Sequence, residues 1–251
     1  MKHFFTPQGE AALQAVMRLR PLLAFDFDGT LAPIVARPGE AHVSHDVSRC
    51  LAELGRRLPV AIITGRSVAD VRPRLGFEPR FVIGSHGGED PGSGEPPTAS
   101  DALERLRKRI AERSALLEAA GVWVEDKQFS LALHYRLAAD APAARACIDT
   151  LLEGAPALAR FGGKFVVNVV AAGTPDKGDA LATLVARAKA GAAVFVGDDV
   201  NDEAVFGRTV PPSLTIRIGR DDPSSKAMYF LDSDAELVLV LRRMLAPLGP
   251  S

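Results

Sequence analysis

Acidic side chains standing just beyond short apolar runs are the feature of this sequence that points most directly to chemistry. Asp26-Phe27-Asp28-Gly29-Thr30-Leu31 follows one such run, residues 21–25. Two carboxylates two residues apart at the end of a buried strand are expensive to desolvate, so a divalent cation such as Mg2+ is their expected partner, with phosphate oxygens as further ligands. Thr64-Gly65-Arg66 follows a second run, residues 60–63, and offers a hydroxyl and backbone N–H groups at a helix start, which suits phosphate. Lys177, within Pro175-Asp176-Lys177-Gly178, offers a compact cation. Gly197-Asp198-Asp199-Val200-Asn201-Asp202-Glu203 sets several acids after another run.

Taken together, these residues imply phosphoryl transfer. Asp26 is the expected nucleophile, forming an aspartyl-phosphate. Asp28 is the expected acid and base, protonating the leaving oxygen and then taking a proton from the hydrolytic water. Thr64 and Lys177 would hold the phosphoryl oxygens. Mg2+ would be held by Asp26, by Asp28 through its side chain or main-chain carbonyl, and by Asp198. Asp199 and Asp202 are further ligand candidates that sequence does not rank. Each segment alone has a plainer reading: Asp and Gly form turns, Thr64 could cap a helix, lysines are usually solvated, and Glu203 reads as an acid at a helix N-terminus. It is the four in order that carry the chemical reading.

The segments need elements that bring them together. Apolar runs at 21–25, 60–64, 81–83, 193–196 and 214–218 read as buried parallel strands. Helices are expected within the first 20 residues and at 44–57, 67–75, 179–190, 202–206 and 234–248, with Ser44 an N-cap. This alternation predicts an α/β fold with a doubly wound parallel sheet and a site at the carboxyl ends of its strands. Residues 90–100 are rich in Gly, Pro and Ser and read as a linker. Beyond them come a long helix at 101–120, strands at 122–125 and 130–136, a helix at 142–152 and a strand within 160–170. The expected division is therefore a core of residues 1–92 and 174–251 with an inserted α+β domain at 93–173, residues 90–97 and the Gly173 region serving as hinges.

The 251 residues are 47% hydrophobic and 24% charged, with a net charge of -1. A balance so near neutral favours neither nucleic acid nor an anionic membrane as partner. No stretch approaches ~20 uninterrupted apolar residues, and residues 1–20 lack a secretory h-region. Cys50 and Cys147 are lone thiols that suit a reducing compartment. A cytoplasmic protein acting on a small molecule is expected, of unspecified oligomeric state.

The four segments, in this order and spacing, resemble those of the haloacid dehalogenase superfamily of phosphohydrolases. The insert resembles the cap domain of its sugar-phosphatase branch, which implies a cap that closes over the core and selects the substrate. Closer still is the resemblance to trehalose-6-phosphate phosphatases, which covers nearly the whole chain. It rests on Asp26-Phe-Asp-Gly-Thr-Leu-Ala-Pro33, on Gly84-Ser-His86-Gly-Gly-Glu89, on Val124-Glu125-Asp-Lys127 with Ala132-Leu-His134-Tyr-Arg136, and on Gly197 to Glu203. The resemblance implies Mg2+-dependent hydrolysis of trehalose 6-phosphate, in trehalose biosynthesis, with Glu89, Glu125 and Lys127 meeting the distal sugar.

Gly65, Arg66, His86, His134 and Asn168 complete the candidates for substrate contact. Arg66 reads equally as a helix cap or a residue of the entry cleft, His86 as a loop histidine, and His134 as a half-buried strand residue. Trp123 is expected in the core of the insert rather than as a sugar platform, since large aromatics dominate cores. The chain departs from the family pattern at Asn168, where a Glu followed by a basic residue and Pro is usual, and at Asn201, where Thr is usual. The loss of a charged sugar contact at Asn168 leaves sucrose 6-phosphate and mannosyl-3-phosphoglycerate as alternative substrates. A metal-dependent nucleotide-sugar glycosyltransferase would also use an acid-x-acid pair, but gives Thr64 and Lys177 nothing to do. A phospho-acceptor switch would need only about half this length and no insert.

Overall fold

The computed structural model describes residues 1–35, 37–94, 100–163, 165–208 and 213–249; residues 95–99, within the expected linker and hinge, lie outside the described residues. The chain divides into two compact units, Met1–Gly92 with Pro175–Ser251, and Ser93–Thr174.

In chain order the first unit begins with β1 (Lys2–His3), α1 (Pro7–Met17), β2 (Leu22–Phe25), α2 (His45–Gly55), β3 (Val60–Ile63), α3 (Val68–Val71) and β4 (Phe81–Ile83). The inserted unit carries α4 (Asp101–Glu112), α5 (Ser114–Ala119), β5 (Trp123–Asp126), β6 (Ser130–His134), α6 (Ala141–Leu152), β7 (Leu158–Gly163) and β8 (Val166–Ala171). The first unit then resumes with α7 (Lys177–Ala188), β9 (Ala193–Gly197), α8 (Glu203–Phe206), β10 (Ser213–Ile218), β11 (Tyr229–Leu231) and α9 (Leu237–Leu245).

The first unit is built on a parallel sheet of order β1-β11-β10-β9-β2-β3-β4. Its central strands are continuously apolar because both faces are covered. Leu23, Phe25, Val60, Ile62, Val194 and Val196 pack with Leu13, Val16, Leu51, Leu54, Val240 and Met244 of α1, α2 and α9. Their neighbours Leu22, Ala24, Ala61, Ile63, Ala193 and Phe195 pack the other way, against Leu181 and Leu184 of α7 and Phe206 of α8. Each fully buried large side chain is worth about 1.5–3 kcal/mol of transfer free energy, so the strands are held in place and their ends are held with them. The order turns between β9 and β2, and that switch point is where a doubly wound sheet opens a crevice.

The inserted unit is an antiparallel sheet, β5-β6-β8-β7, with α4, α5 and α6 against one face. The expected α/β core with an α+β insert is therefore the fold observed. Details differ. The helix expected at 101–120 breaks at Arg113 (φ -112°, ψ 16°), which buries Leu117 and leaves Leu116 exposed. The one strand expected at 160–170 is a hairpin of two, β7 and β8. The short strands β1 and β11 are not legible in the sequence, since two or three residues are too few to show a period. Among the described residues, no helix is long and apolar enough to cross a membrane.

Candidate active site

The carboxyl ends of β2, β3 and β9 place Asp26, Thr64 and Asp198 at one edge of the sheet. Asp26 remains tied to the ladder, its N–H donating to the Val196 carbonyl at 2.9 Å. Lys177 arrives from α7, whose start is fixed by reciprocal capping: Asp176 accepts from Asp179 N–H at 2.8 Å, and Asp179 accepts from Asp176 N–H at 3.1 Å. A lysine at the first helical position opposes the helix dipole. It is offset here by two carboxylates, Asp26 at 2.9 Å and Asp202 at 2.7 Å from Nζ. All three side chains are almost wholly buried.

Asp202 takes three donors. Its Oδ1 accepts from Lys177, and its Oδ2 accepts from the N–H groups of Asp198 (2.9 Å) and Asp199 (3.0 Å). Asp202 thus pins both the lysine and the turn that presents Asp198. The Asp199 carboxylate is taken up locally, by Val200 N–H and the Asn201 amide. Thr30 Oγ1 donates to Asp198 Oδ1 at 3.4 Å. Gly29 has φ +79°, and a Cβ there would lie 2.1 Å from Asp198 Oδ2, so glycine is required on both counts.

Burial raises the Asp198 carboxyl far above the usual carboxylate range, and the neighbouring Asp26, Asp202 and Asp199 charges add to it. Asp26 is raised by burial too, against the opposing pull of Lys177. Burial would lower Lys177, but Asp202 and Asp26 outweigh it and hold the ammonium charged. One cation among three crowded carboxylates leaves the cluster short of positive charge. Ligand atoms of Asp26, Asp198 and Asp202 lie within 4.8 Å of one another, and all are hard oxygen donors, which fits Mg2+.

Asp28 points elsewhere. Arg66 grips it bidentately, Nε to Oδ2 and Nη2 to Oδ1, both at 2.7 Å. The same guanidinium donates from Nη1 to Asp70 at 2.7 Å, and Arg74 donates to the other Asp70 oxygen at 2.6 Å. Burial would lower Arg66, but hydrogen bonds and charge from Asp28 and Asp70 raise it further above its already high value. The guanidinium also lies 5.1 Å over the Phe27 ring. Arg66, open to reading as a helix cap or a cleft residue, is the partner of Asp28. Asp70 and Arg74 escape sequence reasoning, although their i,i+4 spacing after Arg66 is a visible signal.

The loop after β4 braces the Thr64 turn. His86 N–H donates to the Thr64 carbonyl at 2.9 Å, and Ser85 N–H to the Arg66 carbonyl at 2.8 Å. Ser85 and His86 both adopt left-handed backbone (φ 51° and 60°), a strain retained only where surroundings over-determine it. The buried His86 ring lies on Gly65, where a Cβ would sit 2.3 Å from Cε1. Thr64 is fully buried, its Oγ1 accepting from Arg66 N–H at 3.2 Å. Glu89, expected at the sugar, accepts from Val68 N–H at 2.9 Å and from Ser85 at 3.5 Å, so it caps α3 in the first unit.

Glu125, Lys127, His134 and Asn168 all belong to the inserted unit. His134 Nε2 lies 3.1 Å from Glu125 Oε2, and Lys127 Nζ lies 3.5 Å from the same oxygen. Burial pushes the Glu125 carboxyl up, but the His134 hydrogen bond and the Lys127 charge outweigh it, and the carboxyl titrates below its ordinary range. Glu125 pairs across the ladder with Ala132, and Ala132 with the buried Asn168. Trp123 is not in the core: it is 58% exposed.

A family model described as trehalose-phosphatase matches residues 24–234. A trehalose-phosphate phosphatase of Mycobacterium tuberculosis is 33% identical over 232 residues, covering 87% of this chain and 59% of that protein, so the chain spans about three fifths of the relative's length. Among solved structures, the C-terminal domain of the C. albicans trehalose-6-phosphate phosphatase superposes with TM-score 0.79 at 21% identity, covering 98% of both chains. A haloacid dehalogenase-like hydrolase of B. subtilis superposes with TM-score 0.64 at 18% identity, covering 89% of this chain and 98% of that one. At these identities the two structures are likenesses of fold.

Proposed function

Because the chain belongs to the trehalose-phosphatase family, we propose that it hydrolyses trehalose 6-phosphate to trehalose and phosphate through an aspartyl-phosphate on Asp26. The observation that carries this reading is the buried Asp26–Lys177–Asp202 arrangement beside Asp198 at the sheet's switch point. The Asp26 carboxylate lies against one fixed cation in a site still short of positive charge, which supports its reading as the nucleophile facing a phosphate dianion and a divalent cation.

Asp26 and Asp198 would hold Mg2+, joined by the Asp28 main-chain carbonyl; the ion, when bound, offsets the carboxylate and phosphate charge that Lys177 alone leaves uncompensated. Asp202 acts through Lys177 and the Asp198 turn, since its oxygens already take three donors. Asp26 attacks phosphorus and displaces the sugar oxygen, which takes its proton from Asp28. Water, deprotonated by Asp28, then attacks the same phosphorus and frees Asp26. Arg66, which grips the Asp28 carboxylate at two points, sets the position from which Asp28 makes both transfers. Lys177 and Thr64 hold the transferring oxygens throughout. The catalytic residues of this reading all lie in the first unit; Glu125 and Lys127 of the inserted unit are the residues proposed to meet the sugar. Cytoplasmic residence accords with the two free cysteines, Cys50 and Cys147.

The test is phosphate release from trehalose 6-phosphate, sucrose 6-phosphate, mannosyl-3-phosphoglycerate and glucose 6-phosphate, each with Mg2+ and with EDTA. Trehalose 6-phosphate is expected to be fastest, and only with metal. Hydrolysis of it no faster than of glucose 6-phosphate would remove the substrate assignment.

A further inference from the structure

The sheet of the inserted unit has two unlike faces. Leu131 and Leu133 of β6 and Val167 and Val169 of β8 pack with Leu103, Leu106 and Ile148 of the helices. Side chains alternate along a strand, so Trp123, Glu125, His134 and Asn168 project from the opposite face. Trp123 stands on the edge strand β5 with 58% of its surface open. A ring of that size left so open forgoes much of its hydrophobic stabilisation.

Its surroundings are ordered rather than loose. The His134 imidazole lies 4.8 Å from the Trp123 ring, centroid to centroid, and tilted by 32°. Its Nε2 is tied to Glu125 at 3.1 Å, and Lys127 approaches the same carboxylate at 3.5 Å. An apolar ring face is therefore flanked on one side by an anionic acceptor and a cationic donor. That combination matches one chemical class. A pyranose presents a face of C–H bonds and a rim of hydroxyls that both donate and accept, whereas a lipid or an aromatic ligand has no use for the charged rim.

We propose that Trp123, with His134 set against it, is a specificity-determining floor on which a pyranose ring of the substrate stacks, its hydroxyl rim meeting Glu125 and Lys127. This rests on the reading of the protein as a sugar-phosphate phosphatase and deepens it. The floor makes a disaccharide phosphate bind better than a monosaccharide phosphate.

Trp123 is the single tryptophan of the sequence, so intrinsic fluorescence reports on this one ring. Trehalose titrated into the wild-type chain, and trehalose 6-phosphate into the Asp26→Asn chain, are expected to shift and saturate the emission, whereas inorganic phosphate leaves it unmoved. Trp123→Ala is expected to raise KM for trehalose 6-phosphate about tenfold with little change in kcat, and Trp123→Phe to recover most of that loss. If calorimetry detects trehalose 6-phosphate binding but the emission stays constant, the floor is overturned and the proposed activity stands. If neither trehalose nor its phosphate binds, the proposed activity fails; an emission shift with sucrose 6-phosphate then upholds the floor, and no shift overturns it. An unchanged KM in Trp123→Ala also overturns it.

Discussion

The two units treat their polar groups in opposite ways. In the first, Lys177, Asp26 and Asp202 are almost wholly buried and locked by short ion pairs at the ends of packed strands. In the second, Glu125, Lys127 and His134 form a half-open cluster beside an exposed Trp123. Buried charge costs stability and gains preorganisation; partly exposed charge costs little and leaves room to adapt. On the proposed function, rate belongs to the first unit and substrate choice to the second, and the contrast is what substitutions can test. Substitutions in the first should collapse kcat and shift stability, and those in the second should move KM alone.

Asp26→Asn should produce the largest effect, a loss of turnover on the order of 10^4-fold or more, with circular dichroism unchanged. Wild-type-like phosphate release from that variant would erase the distinction between the units at its root. Next comes a paired comparison of two lysines. Lys177→Ala strands two buried carboxylates and should lower unfolding free energy by about 3–5 kcal/mol, read by urea denaturation. Lys127→Ala should cost less than ~1 kcal/mol and raise KM. Equal stability losses would mean that burial does not separate the sites.

Arg66→Lys sharpens the comparison inside the first unit. An ammonium cannot reproduce the two-point grip on Asp28, and the misplacement should lower kcat by about 10^2-fold with a smaller change in KM. A KM effect alone would move Arg66 to substrate binding. The smallest effect concerns Asp90, whose carboxyl the Arg187 hydrogen bonds hold below its usual range. A depressed carboxyl contributes stability above the unfolded pKa of about 3.9 and loses it as pH falls through the folded value. Arg187→Ala should therefore lower the melting temperature slightly at pH 7, with the difference from wild type vanishing in acid. A difference that persisted in strong acid would place the pair's effect elsewhere.

Much of this arrangement is legible in the amino-acid sequence alone, and for a physical reason. Parallel strands covered on both faces are unbroken apolar runs, so the residue at which polarity returns marks a strand end, and strand ends are where a doubly wound sheet builds sites. Asp26, Thr64 and Asp198 stand out on that ground. The Arg66–Asp28 grip does not, because its partners are 38 residues apart and either residue has an equally good local reading as a cap or turn. The capping role of Glu89 at Val68 and the strained Ser85-His86 turn depend likewise on a loop closing across the sheet edge. Ring size alone argues for burying Trp123; the register that puts it on the open face of an edge strand is a property of pairing, not of composition.

The role of Asp26 as nucleophile is tested most directly by the stereochemistry of hydrolysis at phosphorus. With a thiophosphate analogue of trehalose 6-phosphate made chiral by oxygen isotopes, two successive in-line displacements predict net retention of configuration. Net inversion would mean that water attacks the substrate directly, and that Asp26 never carries the phosphoryl group.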